Sequence, residues 1–328
     1  MQTGAMQSAL MPSTMKAVRI HNRGGPEFLK YEDAPIPRLV PGDVLVRVHA
    51  TGITPTELRW DETYKNPDGS DRLPSIPGHE VSGVVQLLSP GVTDFREGQE
   101  VYGLADFTRD GAAAEYLAIR AANLALKPKS VDHAGAAAAS LSGLTAWQAL
   151  FVHGNLSSGQ NVLVHGAAGG VGVFAVQLAR WRGARVSATA DARDADFLRA
   201  LGAHEVIDYK TERFEERRRD QDIVLDTISG ETQDRSWQVL RKGGILINLS
   251  APIPPEKPAQ FGVRGVFFIV EPSRKMLTEL GALLDDGAVK PIVSCTFSLS
   301  DARKAFEAAR QHKAPGKLIL QVRQSVSS

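Results

Sequence analysis

The stretch Asn161-Val-Leu-Val-His-Gly-Ala-Ala-Gly-Gly-Val-Gly172, running on through Val173 to Arg182, decides how the rest of the chain is read. Val162 to Val164 have the apolar, β-branched character of a strand. Glycines follow at Gly166, Gly169, Gly170 and Gly172, and apolar residues then recur with helical spacing at Val171, Phe174, Ala175, Leu178 and Ala179. Strand, glycine turn and helix in that order place backbone N–H groups and the positive end of a helix where a dinucleotide pyrophosphate sits, with no side chain in its way. The spacing is Ala167-x-Gly169-x-x-Gly172, with alanine at the first position of the usual Gly-x-Gly-x-x-Gly. Context strengthens the motif, because a second strand-like run, Ala184 to Ala190, follows the helix. The competing reading, a tight turn with no ligand, leaves this crowding of glycines without a structural need.

At 328 residues the chain is long enough for about two domains. Apolar residues at 43% and charged residues at 23% describe a globular protein able to bury a core. The 38 basic and 37 acidic residues nearly cancel, which argues against nucleic acid or an anionic membrane as partner and for a small or cofactor-sized ligand. Cys295 is the single cysteine, so an intramolecular disulfide and every multi-cysteine zinc site are excluded. It lies in the strand-like run Pro291 to Phe297 and is expected to be a buried thiol. No uninterrupted apolar stretch approaches the ~20 residues of a membrane helix. Met1 to Thr14 lacks the basic region and apolar core of a signal peptide. The expectation is a cytoplasmic protein with a disordered leader over 1–14, in which Met6, Met11 or Met15 is an alternative start.

From Met15 to Pro128 short β runs alternate with glycine and proline: Lys16 to Ile20, Asp43 to Val48, His79 to Leu87, Glu100 to Leu104 and Ala114 to Ile119. Such a pattern predicts a barrel-like β domain. The prolines, Pro35 among them, are expected between the strands. From Ser130 the character changes. His133 to Ser140 and Leu144 to His153 read as two helices, with Thr145 near the start of the second. Strands and helices then alternate to Leu249, which predicts a parallel sheet covered on both faces. Phe261 to Val270 reads as an inner strand or as an edge strand that pairs with a second subunit. Helices are expected at Ser273 to Asp286 and at Ser300 to Arg310 with Ser300 as N-cap, and Lys317 to Val322 closes the chain as a strand of the first domain.

Taken together, Ala50-Thr-Gly-Ile-Thr-Pro55, Pro77-Gly-His-Glu-Val-Ser-Gly83, Gly98-Gln-Glu-Val-Tyr-Gly103, Ser142-Gly-Leu-Thr-Ala-Trp147, the glycine loop, Val206-Ile-Asp-Tyr209 and Gly316-Lys-Leu-Ile-Leu320 stand in the order seen in medium-chain dehydrogenases/reductases. More narrowly, the chain resembles the zinc-independent quinone oxidoreductase branch. The resemblance implies an α/β architecture: a GroES-like β-barrel domain over 15–133, closed by 290–328, and a Rossmann doubly wound parallel sheet over 134–289, with the active site between them. It also implies NADPH, a quinone or α,β-unsaturated carbonyl as small-molecule substrate, and a homodimer formed through the strand 261–270. Two other readings stand beside this one: a zinc-type alcohol dehydrogenase with a degenerate metal site, and a non-catalytic NADPH-binding sensor or structural protein.

In the zinc-dependent members of that family a cysteine stands where this chain has Thr54, and a second cysteine stands near Leu141. One histidine, His79, with Glu80 beside it, does not make the usual three-ligand site, so no metal is expected. Hydride transfer to a conjugated carbonyl fits such a site, because the developing charge is delocalised. Thr54 is the residue expected to hydrogen-bond near the nicotinamide or the substrate oxygen, Tyr64 a proton donor or substrate wall, and Trp60, Tyr102 and Phe107 apolar walls. The expected cofactor residues are Thr145, Gly166, Ala167, Gly169, Gly170, Val171, Gly172, Thr189, Arg193 and Tyr209, with Ser250, Phe267 and Phe268. Thr189 stands at the end of the second strand, where an NADH enzyme carries an acid, and Arg193 is placed to pair with a 2′-phosphate. Asp191 and Asp194 are read as a solvated loop in which Asp194 caps the next helix.

Overall fold

The computed structural model describes residues 12–311 and 314–323. Most of the leader, 1–11, therefore lies outside the described residues, while Thr14 already opens the first strand. The strands in chain order are β1 (Thr14–Ile20), β2 (Leu29–Pro35), β3 (Asp43–Gly52), β4 (Glu80–Leu88), β5 (Glu100–Leu104), β6 (Tyr116–Arg120), β7 (Leu124–Leu126), β8 (Asn161–His165), β9 (Arg185–Ala190), β10 (Glu205–Asp208), β11 (Gln221–Asp226), β12 (Leu240–Asn248), β13 (Arg264–Phe267), β14 (Val293–Ser298) and β15 (Lys317–Gln321).

The β8 to β13 segment forms a six-stranded parallel sheet in the order β10-β9-β8-β11-β12-β13. This is the doubly wound order in which the direction of strand addition reverses between the first and fourth strands, and ligands bind in the crevice at that reversal. Here the reversal lies between β8 and β11, at the glycine turn. Val162, Leu163 and Val164 are wholly buried, because helices cover both faces of the sheet.

The other large sheet runs β14-β15-β3-β4-β5-β7, with β6 paired to β3. β15 returns from the end of the chain and pairs antiparallel with β3, Ile319 opposite Gly52 and Leu320 opposite Thr51. The backbone N–H of Ile53 continues that ladder to the Leu318 carbonyl at 2.9 Å. β1 and β2 make a separate antiparallel pair that packs over this barrel. β2 carries an exposed, polar sequence, which hides it from a search for apolar alternation; Pro35 is its last residue rather than part of a linker.

Four further expectations are corrected. The two helices proposed for 133–153 are one continuous rod: an α-helix, His133–Trp147, passes directly into a π-helical turn, Gln148–His153. Its 21 residues are long and apolar enough to cross a bilayer by length and composition, but 78% of its most apolar window is buried inside the protein. Thr145 thus lies inside this rod. Cys295 is exposed, because β14 is an edge strand bonded only to β15. Ser300 does not cap a helix: it sits in the 3-10 turn Leu299–Asp301 that precedes the helix Ala302–Gln311. The Phe261–Val270 run is split, with Phe261 ending a short helix and β13 forming the outer edge of the parallel sheet.

Candidate active site

The glycine turn leaves β8 at His165, whose buried imidazole is held between the Thr189 and Ser236 hydroxyls at 2.9 and 3.1 Å. Gly166 then takes φ +67°, a left-handed conformation that disfavours other residues. Ala167 is fully buried, with its methyl turned inward. Gly172 permits the close approach: a Cβ there would stand 2.4 Å from the Gly166 carbonyl and 2.6 Å from the Ala167 Cα. The helix Gly170–Trp181 begins at Gly169 with no side-chain cap, so its first amides point outward as donors. Gly169 is exposed, and Gly170 and Val171 are half-exposed. A cradle of this kind fits the pyrophosphate of a dinucleotide.

Around it stand the carboxyl ends of neighbouring strands. Asp226, buried at the end of β11, accepts hydrogen bonds from the Ile228 and Ser229 amides. Asn248, at the end of β12, accepts from the Ser229 hydroxyl and from the amides of Ser250 and Ala251. Ser250 is exposed there, its hydroxyl on the Thr227 carbonyl. Phe267 is partly exposed at the end of β13, whereas the Phe268 ring lies on His153, 4.3 Å between centroids. Thr145 is buried and its hydroxyl is committed to the Leu141 carbonyl, so it presents no polar group outward.

The second strand ends differently from the expectation. Thr189 is buried with its hydroxyl on His165, and the first residue beyond β9 is Asp191. Asp191 caps the following 3-10 turn by accepting the Arg193 amide, and its carboxylate is paired with Lys210. These contacts hold the Asp191 carboxyl below its ordinary range, the Lys210 bond first. Asp194 makes no side-chain cap; it is buried 3.8 Å from the Arg193 guanidinium. Tyr209, after β10, is exposed beside Lys210.

The barrel side supplies a polar cluster that no sequence pattern revealed. The Lys317 Nζ, at the start of β15, lies 2.5 Å from Glu80 Oε1, 2.9 Å from the Ile53 carbonyl and 3.2 Å from Thr54 Oγ1. The Thr54 hydroxyl donates to Glu80 Oε1 at 2.9 Å. Glu80 and Lys317 are buried and Thr54 is half-buried. On the other side of β4, His79 Nε2 stands 3.2 Å from Glu57 Oε1, which accepts the Gly78 amide. Trp60 and Phe107 close around the His79 ring. These residues do not fit a metal ion: hydroxyl replaces thiolate at Thr54, an ammonium already neutralises Glu80, and among the described residues no group of three or more His, Cys, Asp or Glu converges.

Two proposed participants fall away. Tyr64 is only 2% exposed, its hydroxyl donating to the Leu58 carbonyl at 2.6 Å and its ring covered by Arg23. The 3-10 turns at 57–59 and 61–63 roll this segment inward, making Tyr64 part of the barrel core. Tyr64→Phe is therefore expected to keep kcat within about twofold while lowering stability by about 1–2 kcal/mol; a large loss of kcat in the folded variant would return Tyr64 to the chemistry. Tyr102 is likewise buried, bonded to the Leu277 carbonyl rather than lining the cleft.

Burial pushes the Glu57 carboxyl from 4.5 up to about 8 and pulls His79 from 6.5 down to about 3, so at neutral pH the pair is an uncharged acid beside an uncharged imidazole. Folded Glu57 retains a proton that the unfolded chain releases above 4.5; its contribution to stability is complete below that pH and is lost as pH rises to about 8. His79 and His165, both near 3, and His133, near 4, act in the opposite sense, because the unfolded chain binds protons below 6.5 that the fold refuses. Among these four groups the histidines outweigh the carboxyl below 6.5, and above it Glu57 is the one still changing its proton content. Stability is expected to peak near pH 6.5 and to fall towards pH 8 by at most about 1.4 kcal/mol per pH unit. Glu57→Gln should remove the alkaline decline and leave the acid limb. Urea unfolding across this range checks both, and a wild-type profile that is flat above pH 6.5 would contradict the argument.

Comparison with known proteins agrees with this architecture. Residues 40–129 match the alcohol dehydrogenase GroES-like domain and residues 201–320 match the zinc-binding dehydrogenase domain. The chain is 33% identical over 324 residues to the NADPH-dependent alkenal/one oxidoreductase of Arabidopsis thaliana, covering 95% of this chain and 81% of that one. It is 30% identical over 313 residues to the quinone oxidoreductase of Rattus norvegicus, covering 89% and 93%. The chain belongs to the quinone oxidoreductase branch of the medium-chain dehydrogenases/reductases. Among solved structures, the quinone oxidoreductase of Coxiella burnetii superposes with a TM-score of 0.85 at 29% identity, covering 94% of this chain and all of that one. The protein is thus an oxidoreductase that uses a nicotinamide cofactor.

Proposed function

We propose that this medium-chain reductase uses NADPH, without zinc, to reduce a quinone or an α,β-unsaturated carbonyl. The observation that carries the reading is the Lys317–Glu80–Thr54 cluster: an ammonium neutralises the carboxylate and a hydroxyl stands in place of a thiolate, leaving no donor set for a Lewis-acid metal. The bound nicotinamide supplies the hydride. Gly170 and Val171, the first residues of the helix, hold the pyrophosphate through backbone amides, while Trp60 and Phe107 give the substrate a dry apolar wall. With no metal to polarise an alcohol, the acceptor is a conjugated system that spreads the arriving charge. The relatives named as alkenal/one and quinone oxidoreductases support this acceptor class.

The choice of NADPH rests on Arg193 and Lys210, two cations gathered at the end of β9 around Asp191, together with the cofactor named for the Arabidopsis relative. A 2′-phosphate would compete with Asp191 for both cations. Arg193→Ala is expected to weaken NADPH about tenfold and NADH little; equal turnover with the two cofactors in the wild type would overturn the assignment. Elemental analysis tests the metal claim, and stoichiometric zinc would overturn it. The exposed edge of β13, with Phe267 and Ile269 beside it, supports a homodimer in which this strand pairs with its copy.

A further inference from the structure

Donor and acceptor accounting in the buried cluster fixes the direction of every hydrogen bond. The Lys317 ammonium has three protons and no lone pair, and all three are used, on Ile53, Thr54 and Glu80. The Glu80 carboxylate only accepts, so the single Thr54 proton goes to it. Thr54 therefore receives from Lys317, gives to Glu80, and has only a lone pair left for the cleft. It is also the one member of the three with appreciable exposure.

The cluster is tied to the glycine turn. The Lys317 stem packs on Gly170, where a Cβ would meet its Cδ at 2.6 Å, and the Gly316 amide donates to the Ala168 carbonyl at 2.9 Å. The Thr54 oxygen is thus held in register with the backbone that would carry the pyrophosphate. Gly52 makes room for this arrangement, since a Cβ there would lie 2.4 Å from the Glu80 carboxylate.

Quinones and enones offer only acceptors through their carbonyl oxygens. An outward lone pair cannot bind them, but it matches the amino group of the nicotinamide carboxamide, the donor at the reactive end of the cofactor. We propose that Thr54 accepts a hydrogen bond from the nicotinamide carboxamide and so orients the ring, with Lys317 and Glu80 as the positioning residues that turn its oxygen outward as an acceptor. This rests on the proposed reading that the cofactor occupies the glycine turn, and it separates Thr54 from protonation of the substrate.

The test is calorimetric binding of two ligands at neutral pH: NADPH, and 2′-phospho-ADP-ribose, which keeps the pyrophosphate and phosphate but lacks the nicotinamide. Thr54→Val should weaken NADPH about tenfold and leave the truncated ligand unchanged, and Thr54→Ser should restore most of the loss. Lys317→Met, measured in protein shown to be folded by circular dichroism, should give the same selective loss, which a purely structural role would not produce. Equal weakening of both ligands, or weakening of neither, in Thr54→Val overturns the proposal. Failure of the wild type to bind either ligand overturns the underlying cofactor reading as well.

Discussion

Gly172→Val is expected to cost the enzyme most of its cofactor affinity. The Gly172 Cα lies where any Cβ would stand 2.4 Å from the Gly166 carbonyl and 2.6 Å from the Ala167 Cα and carbonyl, all backbone atoms. No side-chain rotation relieves such contacts, so the turn must open and its amides lose their convergence on the pyrophosphate. Overpacking of this kind costs about 1–3 kcal/mol, and on the affinity scale 3 kcal/mol is about a hundredfold. Quenching of protein fluorescence by NADPH gives the dissociation constant, and thermal unfolding reports how far the fold absorbs the strain. An unchanged constant would show that this turn is not where the cofactor sits.

Glu80→Leu carries the second large effect, on stability. It leaves the Lys317 ammonium 7% exposed with only the Ile53 carbonyl and the Thr54 hydroxyl as partners. Breaking a buried pair by removing one partner costs about 3–5 kcal/mol, whereas replacing both by apolar groups is often close to neutral. The double variant Glu80→Leu/Lys317→Met should therefore recover most of the stability lost by Glu80→Leu alone. The native pair is not perfectly satisfied, since Glu80 Oε2 lacks a hydrogen-bond partner, which favours recovery. Urea midpoints of the four proteins close the cycle. A Glu80→Leu variant as stable as wild type would mean that Lys317 finds another partner, and that the cluster is less fixed than its geometry indicates. The double variant should still show the selective loss of NADPH over the truncated ligand, because nothing then orients Thr54. Stability and cofactor orientation are thereby separated within one set of proteins.

The parallel sheet was legible because its information is local. A buried strand, a glycine turn and an amphipathic helix each write their period into adjacent residues, and Asn161 to Arg182 contains all three. The family motifs added the order of the two domains. Misreadings arose where a residue's role depends on which way a short turn rolls. Tyr64 looks like a loop aromatic between charged residues until two 3-10 turns fold it into the barrel. Thr189 sits at the expected register, yet strand alternation turns it onto His165 and leaves Asp191 as the first residue past the strand. Cys295 reads as buried because a lone thiol in a strand-like run is usually a core residue, and only the edge position of β14 exposes it.

By itself, then, the sequence determined the two-domain α/β architecture, the glycine turn between strand and helix, and the lack of thiolate ligands. Only the tertiary structure decided the cleft's electrostatics. Lys317 and Thr54 are 263 residues apart, and they meet because β15 returns to pair with β3. No periodicity or spacing encodes an ammonium that arrives from the far end of the chain, nor the direction of the hydrogen bonds that it imposes on Thr54. That direction follows from counting donors and acceptors once the three side chains are buried together, where every polar atom must answer to its neighbours rather than to water.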